Sequence, residues 1–312
     1  MRRRRTLSVA MAGLAALAVT GVGACTTGSA AAPGKVDVVA AFYPLQFVSE
    51  QVGGAHVAVT NLAKPGAEPH DLELTARQVG RVSDADAIVY LAGFQPAVDD
   101  AVEQVGGDRA FDVSTAVPLL KAGESDHVHG DEPEHHDEDA ASDPHVWLDP
   151  TRLATIADQV ADRLGAADPD HKADYAANAA ALRTRLESLD RDYEAGLATC
   201  QRRELVTGHA AFGYLADRYH LEQVGLTGVT PDTEPAPQRL AAVADEAREH
   251  GATTIFFETL VSPKVADTIA REVGARTAVL DPIEGLQPGA TGDYFSIMRE
   301  NLTAVRTALD CT

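Results

Sequence analysis

Apolar and polar positions follow two alternating periods in both halves of the chain. Short apolar runs such as Val36–Phe42 and Glu204–Thr207 have the length of buried strands, and stretches such as Pro96–Val105 repeat apolar residues at helical spacing. This alternation predicts an α/β fold of two similar lobes, each with a parallel sheet flanked by helices. The predicted strands are 36–42, 56–62, 87–91, 109–113, 204–207, 221–225, 253–257 and 276–280, and the predicted helices are 44–52, 75–83, 96–105, 211–219, 237–250, 263–273 and 294–309.

A long helical segment separates the two halves. Leu182, Leu186, Leu189 and Tyr193 form one apolar stripe, and nothing after Pro169 breaks a helix up to Leu197. Such a helix would run roughly 40 Å at 1.5 Å per residue. The pattern favours one rigid linking helix, with a hinge motion of small amplitude between the lobes. The alternative is two shorter helices that meet at a bend.

The N-terminus has the layout of a secretory signal peptide. Four arginines at 2–5 precede an uncharged stretch that extends to Ala24, and small residues stand before Cys25. The sequence Val-Gly-Ala-Cys at 22–25 resembles a bacterial lipobox, in which the cysteine is lipidated and becomes the mature N-terminus. A transmembrane anchor or plain secretion is the alternative, since the uncharged stretch has nearly the length of a spanning helix. We expect an exported protein, lipid-anchored to the outer face of the cell membrane.

These segments give the predicted domain organisation. A signal peptide occupies 1–24 and a lipidated tether 25–34, the latter rich in Thr, Gly, Ser and Ala. The N-terminal lobe spans 35–168 and includes a His-rich acidic loop at 124–143. The linking helix is 169–197, and the C-terminal lobe is 198–312.

The charge balance excludes one class of partner. The 312 residues carry 26 basic against 47 acidic side chains, a formal net charge of −21, and four of the basic residues belong to the signal peptide. An acidic surface repels nucleic acid and anionic lipid headgroups and attracts cations. We therefore expect no nucleic-acid partner, and a monomer in solution.

If the protein is exported, its cysteines can form a disulfide. With Cys25 lipidated, Cys200 and Cys311 remain as an even pair in an oxidising compartment. A disulfide between them would close a loop of about 110 residues, worth up to about 4–5 kcal/mol in the chain-entropy model. Two buried free thiols are the alternative.

The segment Glu124–Asp143 has too few apolar residues to contribute to a core. It contains four histidines (His127, His129, His135 and His136) and nine acidic residues, with no basic residue. Histidine-rich tracts bind divalent metals such as zinc, copper and nickel. We interpret the segment as an auxiliary metal-capturing loop; an acidic linker without a role is the alternative.

Four potential metal ligands stand where apolar runs end. His70 and His209 follow predicted strands, His145 follows the acidic loop, and Asp281 ends the strand 276–280. Ligands of open α/β sheets bind beyond the carboxyl ends of the strands. Two groups from each lobe would therefore face one another across a cleft, and three imidazoles with one carboxylate suit tetrahedral Zn²⁺.

These motifs together resemble one family. The signal peptide, Glu-Pro-His70-Asp, the His-rich loop, Asp-Pro-His145-Val-Trp-Leu-Asp-Pro, Thr-Gly-His209 and Leu-Asp281-Pro look like the zinc and manganese substrate-binding proteins of ABC importers, the TroA-like or ZnuA-like metal receptors. The resemblance covers essentially all of the mature chain. It implies two α/β lobes joined by a long rigid helix, with His70, His145, His209 and Asp281 as ligands. It also implies that a membrane permease and, through it, a cytoplasmic ATPase are the partners.

Metal preference follows from the third ligand position. Manganese receptors of this kind tend to carry a carboxylate where this chain has His209, and three nitrogen donors favour Zn²⁺ over Mn²⁺. We predict a high-affinity zinc receptor, with a manganese or iron receptor or a metal-containing adhesin as the alternatives. Glu68 and Glu258 are weaker ligand candidates, whereas Asp71 and Asp149 fit supporting or helix-start roles better.

An enzymatic function is not expected. A zinc hydrolase needs an open coordination position for water and a general base beside it, but four protein ligands would close the site. The chain has no His-Glu-x-x-His sequence and no glycine-rich phosphate-binding loop. The sequence therefore favours reversible metal binding over catalysis.

Overall fold

Each half of the chain builds a four-stranded parallel sheet in the computed structural model, which describes residues 34–122, 142–231 and 235–312. The strand order is β2-β1-β3-β4 in one sheet and β6-β5-β7-β8 in the other, so the two sheets share one topology. The predicted fold class is thereby confirmed. The strands are β1 Val36–Ala40, β2 Val57–Asn61, β3 Ala87–Tyr90, β4 Ala110–Asp112, β5 Glu204–Thr207, β6 Glu222–Gly225, β7 Thr254–Phe257 and β8 Arg276–Val279.

Helices cover the sheets and connect the strands. Pro96 and Pro237 occupy the opening turn of their helices, where the missing N–H of proline costs no hydrogen bond. The α-helices of the described residues are α1 Tyr43–Gly53, α2 Ala76–Asp84, α3 Pro96–Val105, α4 Pro150–Ala167, α5 Lys172–Leu197, α6 Gly213–Tyr219, α7 Pro237–Glu249, α8 Lys264–Val273 and α9 Tyr294–Leu309. Of these, α4 is the one for which the sequence analysis makes no prediction.

The strand order creates a ligand-binding position in each sheet. Strand β1 pairs with β2 on one side and with β3 on the other, so the chain changes direction across the sheet after β2. Strand β5 lies between β6 and β7 in the same way. The crevice at such a switch of direction, beyond the carboxyl ends of the strands, is where open α/β sheets bind ligands. His209 follows the carboxyl end of β5, and Glu258 follows that of β7.

The linking segment is one unbroken helix. A short 3₁₀ turn at Pro169–His171 precedes α5, which continues for 26 residues. Its buried face includes Tyr175, Leu182, Leu186, Leu189 and Tyr193, and it packs most extensively against α4. The predicted apolar stripe is buried, and Lys172–Leu197 is not divided into two shorter helices.

One hydrophobic core contacts both sheets, and a second apolar cluster, which includes Val206 and Ile255, lies within the C-terminal half. The Phe47 ring of α1 stacks on the Tyr294 ring of α9 with centroids 5.4 Å apart. Trp147 is buried and donates its indole N–H to the Pro282 carbonyl at 2.7 Å. Because such contacts join the lobes, the described residues cluster as one compact unit rather than as two. The predicted lobe boundaries at 168 and 198 stay predictions.

A disulfide fixes the end of the chain to the beginning of the C-terminal half. Cys200 follows α5 and Cys311 follows α9, and the two cysteines are bonded. An isolated antiparallel bridge joins the same two residues. The predicted pairing is confirmed.

Several predictions from the sequence concern residues outside the described ranges. These are the signal peptide at 1–24, the lipidated Cys25, most of the tether, and the four histidines His127, His129, His135 and His136. They stay predictions. Among the helices of the described residues, none has both the length and the hydrophobicity needed to cross a membrane.

Replacing both Cys200 and Cys311 by alanine should destabilise the protein. The disulfide spans 111 residues in sequence, and removing it frees the unfolded chain, a loss of about 2–5 kcal/mol in unfolding free energy. Urea titration of the oxidised wild type and of the double variant measures the difference. An unchanged unfolding free energy would show that the cross-link does not restrict the unfolded chain.

Candidate metal centre

Three imidazoles and one carboxylate meet at the junction of the two lobes. His70, His145, His209 and Glu284 each offer one ligand atom, and these four atoms all lie within 4.8 Å of one another. His145 and His209 have no exposed surface, Glu284 is 1% exposed and His70 is 8% exposed. A buried group of this kind suits a dehydrated metal cation, because its donors are already removed from water.

The four residues come from separate parts of the chain. His70 lies in the irregular segment between β2 and α2, and His145 immediately precedes a 3₁₀ turn that leads into α4. His209 follows β5, and Glu284 lies in the irregular segment between β8 and α9. The predicted geometry of two groups from each lobe is therefore present, although the fourth group is not the predicted one.

Four of the six distances between donor atoms are close to the edges of a tetrahedral zinc site. Glu284 Oε1 lies 3.5 Å from His70 Nε2, 3.1 Å from His145 Nε2 and 3.2 Å from His209 Nε2. The Nε2 atoms of His145 and His209 are 3.3 Å apart. A tetrahedron with metal–ligand bonds of about 2.0–2.1 Å, as Zn²⁺ makes with imidazole, has edges of about 3.3–3.4 Å.

Asp281, which the sequence analysis expects as the fourth ligand, does not join this group. Its Oδ2 accepts a hydrogen bond from Thr259 Oγ1 at 2.9 Å, and its Oδ1 accepts one from the Ile283 N–H at 2.8 Å. Both oxygens are therefore engaged in shaping the turn that follows β8. The expectation is corrected: Glu284, three residues further on, brings its carboxylate to the imidazoles.

A strained backbone directs Glu284 into the site. Ile283 is fully buried and has φ +60°, a value that β-branched residues rarely adopt. Such a conformation costs of order 1–3 kcal/mol and persists where the surroundings enforce it. Here Asp281 holds the Ile283 N–H and Trp147 holds the Pro282 carbonyl. Asp281 thus positions the carboxylate of Glu284 through the backbone.

Carboxylates orient two of the three imidazoles. Asp143 Oδ1 lies 2.8 Å from His145 Nδ1, and Glu258 Oε1 lies 2.6 Å from His209 Nδ1. An acceptor on Nδ1 keeps the proton there and leaves the Nε2 lone pair for a metal. Glu258, a weak ligand candidate in the sequence analysis, is therefore placed behind His209. A Cβ atom on Gly208 would lie 2.9 Å from Glu258 Oε1, so glycine there leaves room for this carboxylate.

Glu68 lies beside the site without belonging to the four. Its Oε1 accepts the His70 backbone N–H at 3.0 Å, and its Oε2 is buried with no hydrogen-bond partner. Burial and the nearby charge of Glu284 raise the pKa of Glu68 to about 8. The other two acids considered in the sequence analysis take different places: Asp71 is exposed, and Asp149 caps the N-terminus of α4, as predicted for a helix-start residue.

Glu284 and two of the histidines shift one another's pKa values towards their charged forms. Burial alone would keep Glu284 neutral, but hydrogen bonds from His145 and His209, together with His70 Nε2 at 3.5 Å, outweigh it and hold the pKa of Glu284 well below its usual value. Burial likewise opposes charge on His209, yet Glu258 and Glu284 raise its pKa to about 10. Asp143 and Glu284 raise the pKa of His145 against burial in the same way. The charged forms therefore stabilise one another.

The described residues on either side of the four histidines of the His-rich segment meet close to this group. Lys121 and Ser142 form an antiparallel bridge, and the Asp143 N–H donates to the Leu120 carbonyl at 2.8 Å. Tyr214 Oη donates to the Asp143 carbonyl and accepts from the Leu120 N–H. Asp143, which ends the segment 124–143, is thus the residue that orients His145.

A pair of isosteric substitutions distinguishes Glu284 from Asp281. Glu284→Gln should weaken zinc binding more than about 100-fold, because it removes a charged donor from the group, whereas Asp281→Asn should stay within the about 10–100-fold typical of a supporting residue. Competition with a zinc chelator at pH 7.5 gives both affinities. A larger loss in Asp281→Asn than in Glu284→Gln would contradict the geometry.

Comparisons with known proteins identify relatives of this chain. The chain is 38% identical to the zinc-binding protein AdcA of Streptococcus pyogenes serotype M3 over 293 residues, which cover 89% of this chain and 57% of the relative. It is 36% identical to the high-affinity zinc uptake system protein ZnuA of Bacillus subtilis over 292 residues, 91% of each chain. The chain thus spans little more than half the length of some curated relatives it matches, and nearly all of others.

A solved structure shares the fold. The zinc-bound ZnuA-like domain of Streptococcus pneumoniae AdcA superposes with a TM-score of 0.74 at 34% identity, covering 89% of this chain and all of that domain. The family model described as zinc-uptake complex component A, periplasmic, matches residues 38–308. On the extent of that match and the identity to its curated members, the chain belongs to the ZnuA family.

Proposed function

We propose that this protein is an extracytoplasmic receptor that captures Zn²⁺ and delivers it to an ABC-type importer. The observation that carries the proposal is the buried group of three imidazoles and one carboxylate, whose donor atoms all lie within 4.8 Å of one another, with four of the six separations between 3.1 and 3.5 Å. His70, His145, His209 and Glu284 are the proposed ligands. The names of the relatives, a zinc-binding protein and a zinc uptake protein, support the same metal.

The donor set argues for zinc over manganese and iron. Imidazole nitrogen suits zinc, whereas manganese sites favour carboxylate, carbonyl and water oxygen. His209 makes the third nitrogen donor, and the buried Glu258 behind it fixes its orientation. Four protein donors fill a tetrahedral coordination shell, so no position is left at which a metal-bound water could attack a substrate. The proposed role is therefore binding and release, without catalysis.

Charge conservation explains how a buried site could exchange its content. With His145 and His209 protonated, two imidazolium charges face Glu284, and Asp143 and Glu258 lie behind them. A Zn²⁺ ion that replaces those two protons leaves the total charge of the buried group unchanged. Zinc binding then avoids the cost of adding uncompensated charge to the interior.

The family relation supports a transporter partner, and we propose the further details. The permease of the importer would receive the ion, and a cytoplasmic ATPase would drive its passage. Lipidation of Cys25 would hold the protein at the outer face of the cell membrane. His127, His129, His135 and His136 would capture metal close to the site, since Lys121 and Ser142, between which they lie in the sequence, are paired close to His145.

Calorimetric titration with zinc tests the proposed function and its proton exchange. Because the raised pKa values of His209 and His145 mean that metal displaces protons, zinc affinity should rise with pH from 6 towards 9, and each ion should release about one to two protons at pH 7.5. Buffers of different ionisation enthalpy give the proton count, and parallel titration with Mn²⁺ should show weaker binding.

Two results would count against this proposal. A zinc affinity that does not change with pH would exclude ligation by histidines that are protonated before the metal binds. Manganese binding tighter than zinc binding would favour the alternative manganese receptor, despite the three nitrogen donors. The Glu284→Gln variant serves as the control, because its zinc site lacks one of the two negative charges that raise the pKa of each histidine.

A further inference from the structure

The three histidines of the site are held to different degrees, although two of them share one local sequence. Glu68-Pro69-His70 and Asp143-Pro144-His145 both consist of an acid, a proline and a histidine. In both, the acid accepts the backbone N–H of the histidine, at 3.0 Å for Glu68 and 2.9 Å for Asp143. The two motifs differ by one methylene in the acidic side chain.

The shorter acid also contacts the histidine ring, whereas Glu68 contacts only the backbone N–H of His70. Asp143 Oδ1 contacts both the backbone N–H and Nδ1 of His145, so one oxygen fixes the main chain and the imidazole together. Glu258 Oε1 does the same for His209, at 3.2 Å from its backbone nitrogen and 2.6 Å from its Nδ1. Both imidazoles therefore present Nε2 to the site before any metal arrives.

His70 lacks such an orienting carboxylate on its ring. Among the contacts of the described residues, none joins a side-chain oxygen to His70 Nδ1, and His70 Nε2 is buried without a hydrogen-bond partner. Its closest approach to Glu284 Oε1 is 3.5 Å, longer than those of the other two imidazoles. The second oxygen of Glu68, Oε2, is also buried and unpartnered.

The main chain around His70 is nevertheless held. Gln95 Nε2 donates to the Pro69 carbonyl at 3.2 Å, and the Gly66 N–H donates to the Leu286 carbonyl of the other lobe at 2.7 Å. The ring itself packs edge-on against Phe94, with centroids 4.5 Å apart. Hydrogen bonds therefore hold the backbone around His70, and its imidazole is the part of the residue that no hydrogen bond from the described residues orients.

We propose that His70 is the last ligand to bind the metal and the first to leave it, and that the length of the acid at position 68 sets how readily it does so. This inference rests on the proposed function. The ion would first meet His145, His209 and Glu284, which are already oriented, and His70 would then close the tetrahedron. A receptor must release its cargo, and one imidazole without an orienting carboxylate provides a point at which release begins.

Exchanging the two acids tests this proposal without changing any charge. Glu68→Asp converts the first motif into the form of the second and should bring a carboxylate oxygen to His70 Nδ1, slowing zinc release about tenfold. Asp143→Glu makes the reverse change at His145 and should speed release about tenfold. Both expectations follow from the 10–100-fold effects of residues that orient metal-binding histidines. Glu73→Asp, at an exposed position of the same loop, is the matched control.

Stopped-flow transfer of zinc to an excess of chromophoric chelator gives the release rates. Slower release in Glu68→Asp and faster release in Asp143→Glu, with Glu73→Asp equal to wild type, supports the proposal. A Glu68→Asp rate within twofold of wild type overturns it. Failure of the wild type to bind zinc would instead overturn the proposed function.

Imidazole NMR of the metal-free protein provides a second readout that needs no cargo. In the wild type, the Nδ1–H groups of His145 and His209 should exchange slowly with water, and that of His70 quickly. Glu68→Asp should give His70 a slowly exchanging Nδ1–H as well. Equal protection of all three imidazoles in the wild type would contradict the inference, whether or not either variant folds.

Discussion

The carboxylate of Glu284 imposes the main constraint on this molecule. A charged group that is 1% exposed is costly unless opposite charge and hydrogen bonds compensate it. Here protons on His145 and His209, whose pKa values are raised, can supply the compensation in the metal-free state, and zinc bound to the imidazoles would supply it in the loaded state. Asp143 and Glu258 compensate charge one step further from Glu284, because each carboxylate balances the charge of one imidazole and fixes its orientation. The lobes must therefore meet at this point, and the shared core around Trp147 holds them together.

Much of the fold could be predicted from the pattern of the chain. Parallel strands buried on both faces are short apolar runs, and helices between them keep a helical period, so the two periods separate cleanly. Helices α3 and α9 and strand β5 have the predicted boundaries. Helix α4 was not predicted, although Asp149 as its cap, Pro150 in its opening turn and the buried Leu153, Val160 and Leu164 are recognisable signals in retrospect.

The site was predictable only where side chains follow regular structure. His209 lies two residues after the end of β5, so its position could be read from the end of an apolar run. Glu284 could not be found this way, because the backbone turns at Ile283 through a left-handed conformation. Isoleucine rarely adopts that conformation, so the sequence does not predict it. The same rule of strand ends that located His209 led to Asp281, which holds the turn instead. Glu258 ends β7 and reaches His209 because β7 lies next to β5, a neighbourhood set by strand order rather than by sequence distance.

Anomalous diffraction at the zinc edge from crystals of the loaded protein tests this account most directly. We predict one zinc ion at the junction of the lobes, about 2.0–2.2 Å from Nε2 of His70, His145 and His209 and from one oxygen of Glu284, with Asp281 still bonded to Thr259 and the Ile283 N–H. A zinc ion coordinated by Asp281, or one located away from these three histidines, would contradict the central claim.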